Sequence, residues 1–186
     1  MEVLFTREKG IAFDFSEKAV FKPEVEPPHV ILTITHKPWQ VANFRVPKAL
    51  EGEVIEIIWK KLECGALERC CGPYCNPWFL VLKKDKGYRL LNTAQRLNAV
   101  TIKDASLPPS AEEYSEDFAG FPVLFLLDLF LLYDQMALAE ICRDLTAFQT
   151  PLGLLRMTTL PQGYTNRVQV FDRVMKKILK DQISAK

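Results

Sequence analysis

The chain has 186 residues, 48% of them hydrophobic and 25% charged, with a net charge of +1. That length suits one domain, or one and a fraction, with a substantial core, and the composition excludes a disordered chain. Near-neutral charge excludes the overall basic signature of a nucleic-acid binder. The opening residues, Met1 to Lys9, carry charge too early for a secretory signal. The most apolar run, 123–132, is too short to span a bilayer and has Asp128 near its centre. These features predict a soluble intracellular protein.

Residues 1–46 are weakly patterned. Pro23, Pro27 and Pro28 break them, and 30–35 alternates enough for one short strand, so the segment reads as a connection. Pro47 then opens an amphipathic helix: Leu50, Val54, Ile57, Ile58 and Leu62 recur at helical spacing, and Gly65 stops it. Residues 66–77 hold Gly72, Pro73, Asn76 and Pro77 and read as a loop. Within and beside it, Cys64, Cys70, Cys71 and Cys75 fall close together. They include no C-x-x-C pair, and His29 and His36 lie far upstream, so reduced thiols are the better reading and a zinc-binding module the weaker one.

Residues 78–83 and 88–92 read as a hairpin around Lys84-Asp85-Lys86-Gly87. Pro108-Pro109 breaks the chain, and 111–118 reads as a short acidic helix. The near-continuous apolar run 123–127 has the pattern of a strand covered on both faces. A second hairpin is expected over 147–158, around Pro151-Leu152-Gly153. From Thr165 onward Val168, Phe171, Val174, Met175, Ile178 and Leu179 mark an amphipathic helix. The order predicts an α+β fold. Charge runs in three blocks along this part of the chain. From 83 to 103 basic residues face Asp85 alone, from 112 to 144 acids face Arg143 alone, and the last residues turn basic again. Such a layout suits phosphates meeting a cation-binding carboxylate, and solvated faces produce it too.

Several residues in these blocks have the chemistry of a site. Asp128 ends a buried apolar run, where a carboxylate is costly unless it is paired or binds a cation. Lys83, Lys84 and Arg89 lie on the first hairpin, and arginine can grip phosphate oxygens with two donors at once. Gln162 stands in Leu160-Pro161-Gln162-Gly163-Tyr164, where glycine permits a close backbone approach.

Taken in order, W-F-L-V-L-K-K-D-K-G-Y-R, R-L-N-A-V-T, L-L-D-L-F-L-L-Y-D-Q, T-A-F-Q-T-P-L-G and L-P-Q-G-Y-T-N closely resemble the fingers and palm of a reverse transcriptase. The type is that of fungal gypsy-class long-terminal-repeat retrotransposons. The resemblance covers about residues 47–183 and implies a domain over 47–186 preceded by the connecting segment 1–46. It implies an RNA-directed DNA polymerase, a nucleotidyltransferase whose partners are an RNA or DNA template-primer and deoxynucleoside triphosphates. By the same resemblance Asp128 is catalytic and holds Mg²⁺ together with the backbone carbonyl of Leu129. Lys83, Arg89, Tyr133 and Gln162 bind the nucleotide, with Tyr133 beneath its sugar.

The chain departs from that pattern in places. Thr93 stands where the family usually has Asp, Phe130-Leu131-Leu132 replaces small and polar residues, and Arg167-Val168 stands where a small residue and proline are frequent. No [YF]-x-D-D occurs in the 186 residues, so the expectation is a palm cut before that hairpin and a chain inactive alone. The alternative is a non-catalytic remnant that binds nucleic acid weakly.

Overall fold

A computed structural model describes residues 20–83, 87–108, 110–124 and 129–180, which mix helix and strand. Helix α1 (Glu51–Glu63) follows the periodicity: Val54 and Ile58 are fully buried, while Glu51 and Glu53 at its start and Lys60 and Lys61 at its end complement the helix dipole. It stops where expected. Gly65 takes a left-handed φ of 68°, its N–H donates to Leu62 O at 3.0 Å, and Ala66 N–H donates to Lys61 O at 2.9 Å. This doubly bonded cap satisfies carbonyls that the helix leaves open.

The chain then forms β1 (Leu67–Arg69), a strand within the expected 66–77 loop. Three residues are too short to show a period, and their partner lies far downstream: Leu67 pairs with Met157, Glu68 with Arg156 and Arg69 with Leu155. The expected first hairpin is present as β2 (Trp78–Leu82) and β3 (Tyr88–Asn92), with Lys83 N–H donating to Gly87 O at 2.7 Å; Lys84, Asp85 and Lys86 lie outside the described residues. Next come α2 (Gln95–Val100), the acidic α3 (Ala111–Phe118) and a 3₁₀ turn, Leu132–Gln135. The strand expected over 123–127 falls largely outside the described residues. Val123 and Leu124, its described part, are in no strand and are exposed. Short α4 (Glu140–Arg143) leads to the second hairpin, β4 (Phe148–Thr150) and β5 (Gly153–Met157), where Gly153 supplies a φ of 105°. The sheet order is β1-β5-β4, all antiparallel, and α5 (Arg167–Ile178) follows.

Across the sheet's outer side Glu68 accepts from Arg143 Nη1 at 3.0 Å and Arg156 Nε at 2.6 Å, and Arg156 Nη1 reaches Asp144 Oδ1 at 2.7 Å. These pairs tie short β1 to β5 and to the end of α4. Two apolar clusters make up the core. Val54, Ile58, Leu67, Trp78, Leu90, Phe148, Leu155 and Met157 join α1 to both sheets, and Ile31, Leu97, Leu138, Leu160, Val170 and Val174 join α2 to α5.

Residues 20–46 form no strand, although Ile31 is buried while Val30, Leu32 and Ile34 are exposed, as the alternation over 30–35 predicts. The reason is that their partners change every few residues. His29 N–H bonds Ala137 O and His29 O accepts from Ala139, Ile34 N–H bonds Val100 O, and Val41 N–H bonds Cys75 O. A ladder never runs long enough to become a strand, and the segment acts as a strap stitched over the fold.

His29 belongs to that strap, with Nε2 enclosed and without a hydrogen-bond partner among the described residues, its ring 5.9 Å from that of Tyr164. Burial first, and then the Arg173 guanidinium, push its pKa below the usual 6.5, against the opposing Asp104 carboxylate. Asp104 itself is held at about 2 by hydrogen bonds from Ser106 and by Arg173, so it stays charged through the window that matters. The folded state therefore resists protonating His29. Its contribution is complete above the unfolded value near 6.5 and is lost as pH falls through the lower folded value. Thermal unfolding at pH 7.5 and pH 5 will show a larger acid-induced loss for the parent than for His29→Gln. Equal losses would place the acid sensitivity elsewhere.

Candidate functional site

One face of α1 looks across at the β2–β3 hairpin, and between them lies a cleft of about 930 Å³. The helix contributes Glu53, Glu56, Ile57, Lys60 and Lys61, all on one helical face by their spacing of three and four. The hairpin contributes Lys83 and Arg89, both near its turn. Phe148 and Met157, shared with the apolar cluster below, make the floor. Gln162 reaches the same cleft from the turn before α5. Three of the sequence-derived residues, Lys83 and Arg89 from one block of the chain and Gln162 from another, are thus brought to one lining.

The remaining wall is the turn after residue 128. Leu131 takes φ 48°, ψ 39°, a left-handed conformation that costs a branched residue about 1–2 kcal/mol. It is held by Asp134 N–H donating to Leu131 O at 2.9 Å and by Gln135 Nε2 donating to Phe130 O at 2.6 Å. Through this turn Phe130, Leu131 and the buried Asp134 line the cleft. Sequence reading had not singled out Asp134 or the acidic and basic residues of α1. The i, i+3, i+4 spacing of the helix was the signal for the latter, and Asp134 had none beyond its place after Tyr133.

Tyr133 and Leu129 lie outside this lining. Tyr133 is not among the described lining: its ring packs on the cluster around Leu138, with the Arg167 guanidinium 5.0 Å from its centroid. Leu129 is 41% exposed and does not line the cleft, while its neighbour Phe130 does. Asp128 and Lys84 lie outside the described residues. Among the described residues no three His, Cys, Asp or Glu side chains converge as metal ligands. The described part of the cleft therefore makes no cage for Mg²⁺.

The cysteines near the site are free thiols. Cys64 lines the cleft and donates to Lys61 O at 3.4 Å. Burial, helped by the Asp144 carboxylate, pushes the Cys70 thiol up to about 11, which leaves it protonated and a poor nucleophile at neutral pH. Chemically the cleft sets four cations, Lys60, Lys61, Lys83 and Arg89, beside four carboxylates, Glu53, Glu56, Glu63 and Asp134, with apolar Phe148 and Met157 in the same lining. The guanidinium of Arg89 and the ammonium of Lys83 can hydrogen-bond an anionic group there, and the apolar side chains can take a flat apolar body.

No family model matches the chain. It is 30% identical over 158 residues, 82% of its length, to the retrovirus-related Pol polyprotein from transposon opus of Drosophila melanogaster, and spans 16% of that protein. It is 27% identical over 169 residues to the Gag-Pro-Pol polyprotein of Bovine leukemia virus (isolate Australian), covering 87% of this chain and 12% of that one. Among solved structures it matches the foamy viral protease-reverse transcriptase in complex with RNA/DNA hybrid, with TM-score 0.80, 18% identity, and coverage of 97% of this chain and 24% of that chain. It also matches the foamy viral protease-reverse transcriptase dRH in complex with ds DNA, with TM-score 0.70, 21% identity, and coverage of 83% and 27%. No helix among the described residues is long and apolar enough to cross a membrane. The chain is a homologue of retroviral and retrotransposon Pol polyproteins, corresponding to a small part of their length, and carries the fold seen in foamy-virus protease-reverse transcriptases.

Proposed function

We propose that these residues are the fingers and first half of the palm of an RNA-directed DNA polymerase of the gypsy retrotransposon type found in fungi, and that the cleft receives a deoxynucleoside triphosphate. The observation that carries this reading is the meeting of Lys83, Arg89 and Gln162 in one cleft with an apolar floor. A triphosphate needs cations that can grip its oxygens, and the hairpin carries Lys83 and Arg89 into the lining of the cleft. Mg²⁺ remains an expectation attached to Asp128 and the Leu129 carbonyl. The template-primer is the expected partner, and relatives of this fold have been solved with dsDNA and with RNA/DNA hybrid.

Titrating the purified chain with a fluorescent deoxynucleoside triphosphate tests the reading. The parent will bind, and Lys83→Ala with Arg89→Ala will weaken binding roughly tenfold or more, since a charge-assisted hydrogen bond is worth about 1.5–3 kcal/mol. Equal affinity in both proteins would remove the hairpin from the site. A second reading, a non-catalytic module that binds nucleic acid weakly, is favoured by exposed Arg89, Arg96 and Lys103 in the basic block. It predicts sequence-independent, strongly salt-dependent binding to an RNA/DNA duplex with no triphosphate binding.

A further inference from the structure

Gln162 lines the cleft from a turn that belongs to no helix or strand, so something else must hold it in place. Gly163 takes a φ of 91°, and Tyr164 N–H donates to Pro161 O at 3.1 Å, which closes the turn on itself. Leu160 N–H donates to Met136 O at 2.9 Å and fixes the entry. At the exit Asn166 Nδ2 donates to Ile102 O at 2.9 Å, and Asn166 Oδ1 accepts from Asp104 N–H at 3.1 Å. The middle is gripped from one side chain. Asn98 Nδ2 donates to Gly163 O at 2.8 Å, and Asn98 Oδ1 accepts from Thr165 N–H at 2.9 Å.

Both bonds need an amide, because one partner is an acceptor and the other a donor. A carboxylate at 98 could keep only the bond from Thr165 and would face the Gly163 carbonyl with a second oxygen. The grip is also rooted. Asn98 lies in α2 beside Leu97, which is 1% exposed, and Thr101 bonds Leu97 O through both its N–H at 3.0 Å and its hydroxyl at 2.8 Å. Asn98 is itself only partly exposed and does not line the cleft.

Resting on the reading that the cleft takes a nucleoside triphosphate, we propose that Asn98 is a positioning residue: its amide clamps the turn on both sides of Tyr164 and so sets the place from which Gln162 meets the ligand. Asn98 touches no ligand. It acts through the backbone of Gly163 and Thr165.

Two measurements on the full chain test this. In fluorescence titrations with a labelled deoxynucleoside triphosphate, Asn98→Leu will weaken binding as much as Gln162→Ala does, roughly threefold to tenfold for one neutral hydrogen bond. The double variant will be no weaker than either single one, because both act through the same contact. Asn98→Asp, which retains one of the two bonds, will fall between parent and Asn98→Leu, and it replaces Asn98→Leu should that variant fail to fold. Without ligand, the side-chain amide resonances of Gln162 will broaden or shift in both Asn98 variants, while those of buried Asn76 stay unchanged as a reporter of the fold. Additive losses in the double variant, or Gln162 resonances indifferent to residue 98, would overturn the clamp. Failure of the parent to bind any triphosphate would overturn the reading of the cleft, and the amide spectra would then judge the clamp by themselves.

Discussion

Trp78→Ala will cost about 3–5 kcal/mol of folding stability, a large part of the roughly 5–15 kcal/mol that holds a domain of this size. Trp78 is 1% exposed and lies where α1, the β2–β3 hairpin and the three-stranded sheet meet. Its ring belongs to the same cluster as Val54, Ile58, Phe148 and Leu155, and its Nε1 donates to Gln149 O at 2.6 Å. Truncation therefore opens a void at the centre of the cluster that joins these elements, and it strips a donor from a strand carbonyl. Both losses act in the same direction. Urea or thermal unfolding will show it as a fall in Tm of roughly 10 °C. Trp78→Phe, which retains most of the ring, will lose much less. A Trp78→Ala protein that melts within a degree or two of the parent would mean that the hairpin is not packed onto α1 as described.

The second large effect concerns catalysis. Primer-extension assays with the purified chain, a primed RNA template, all four deoxynucleoside triphosphates and Mg²⁺ or Mn²⁺ will give no product above background. A two-metal site needs several fixed carboxylate oxygens, since each ion demands a near-octahedral oxygen shell. The 186 residues contain no pair of adjacent aspartates to complete the set that Asp128 would begin. The acceleration forgone is on the order of 10⁶-fold or more. Extension that disappears in Asp128→Asn would show that the chain finds its metal ligands by another route.

Much of the fold was legible in the sequence where contacts are local. The spacing of Val54, Ile57, Ile58 and Leu62 marked α1, and Gly65 marked its end. Both hairpins followed from short apolar runs around a glycine-bearing turn, and the L-P-Q-G turn led to Gln162 in the cleft. What could not be read depends on distant partners. Strand β1 exists because Glu68 finds Arg156 and Arg143, and nothing within residues 67–69 announces them. The strap's alternation was visible, but its changing partners were not. At the site too the contacts are distant ones: the strained turn at Leu131 brings Phe130 and Leu131 to the cleft, and Tyr133 packs under Arg167, which lies 34 positions further along the chain.

The strap also bears on how the chain comes to be folded during synthesis. His29 O meets the Cys142 thiol at 3.6 Å across a separation of 113 residues. His29 must therefore wait for this partner until a further 113 residues have been made. At 5–20 residues per second, a ribosome leaves that gap open for roughly 5–20 s, long beside the microseconds in which a helix such as α1 forms. During that interval Ile31, which is 5% exposed in the finished fold, lacks part of the cluster that covers it, so nascent chains should be open to chaperone capture at this residue until Leu138 and Cys142 have emerged.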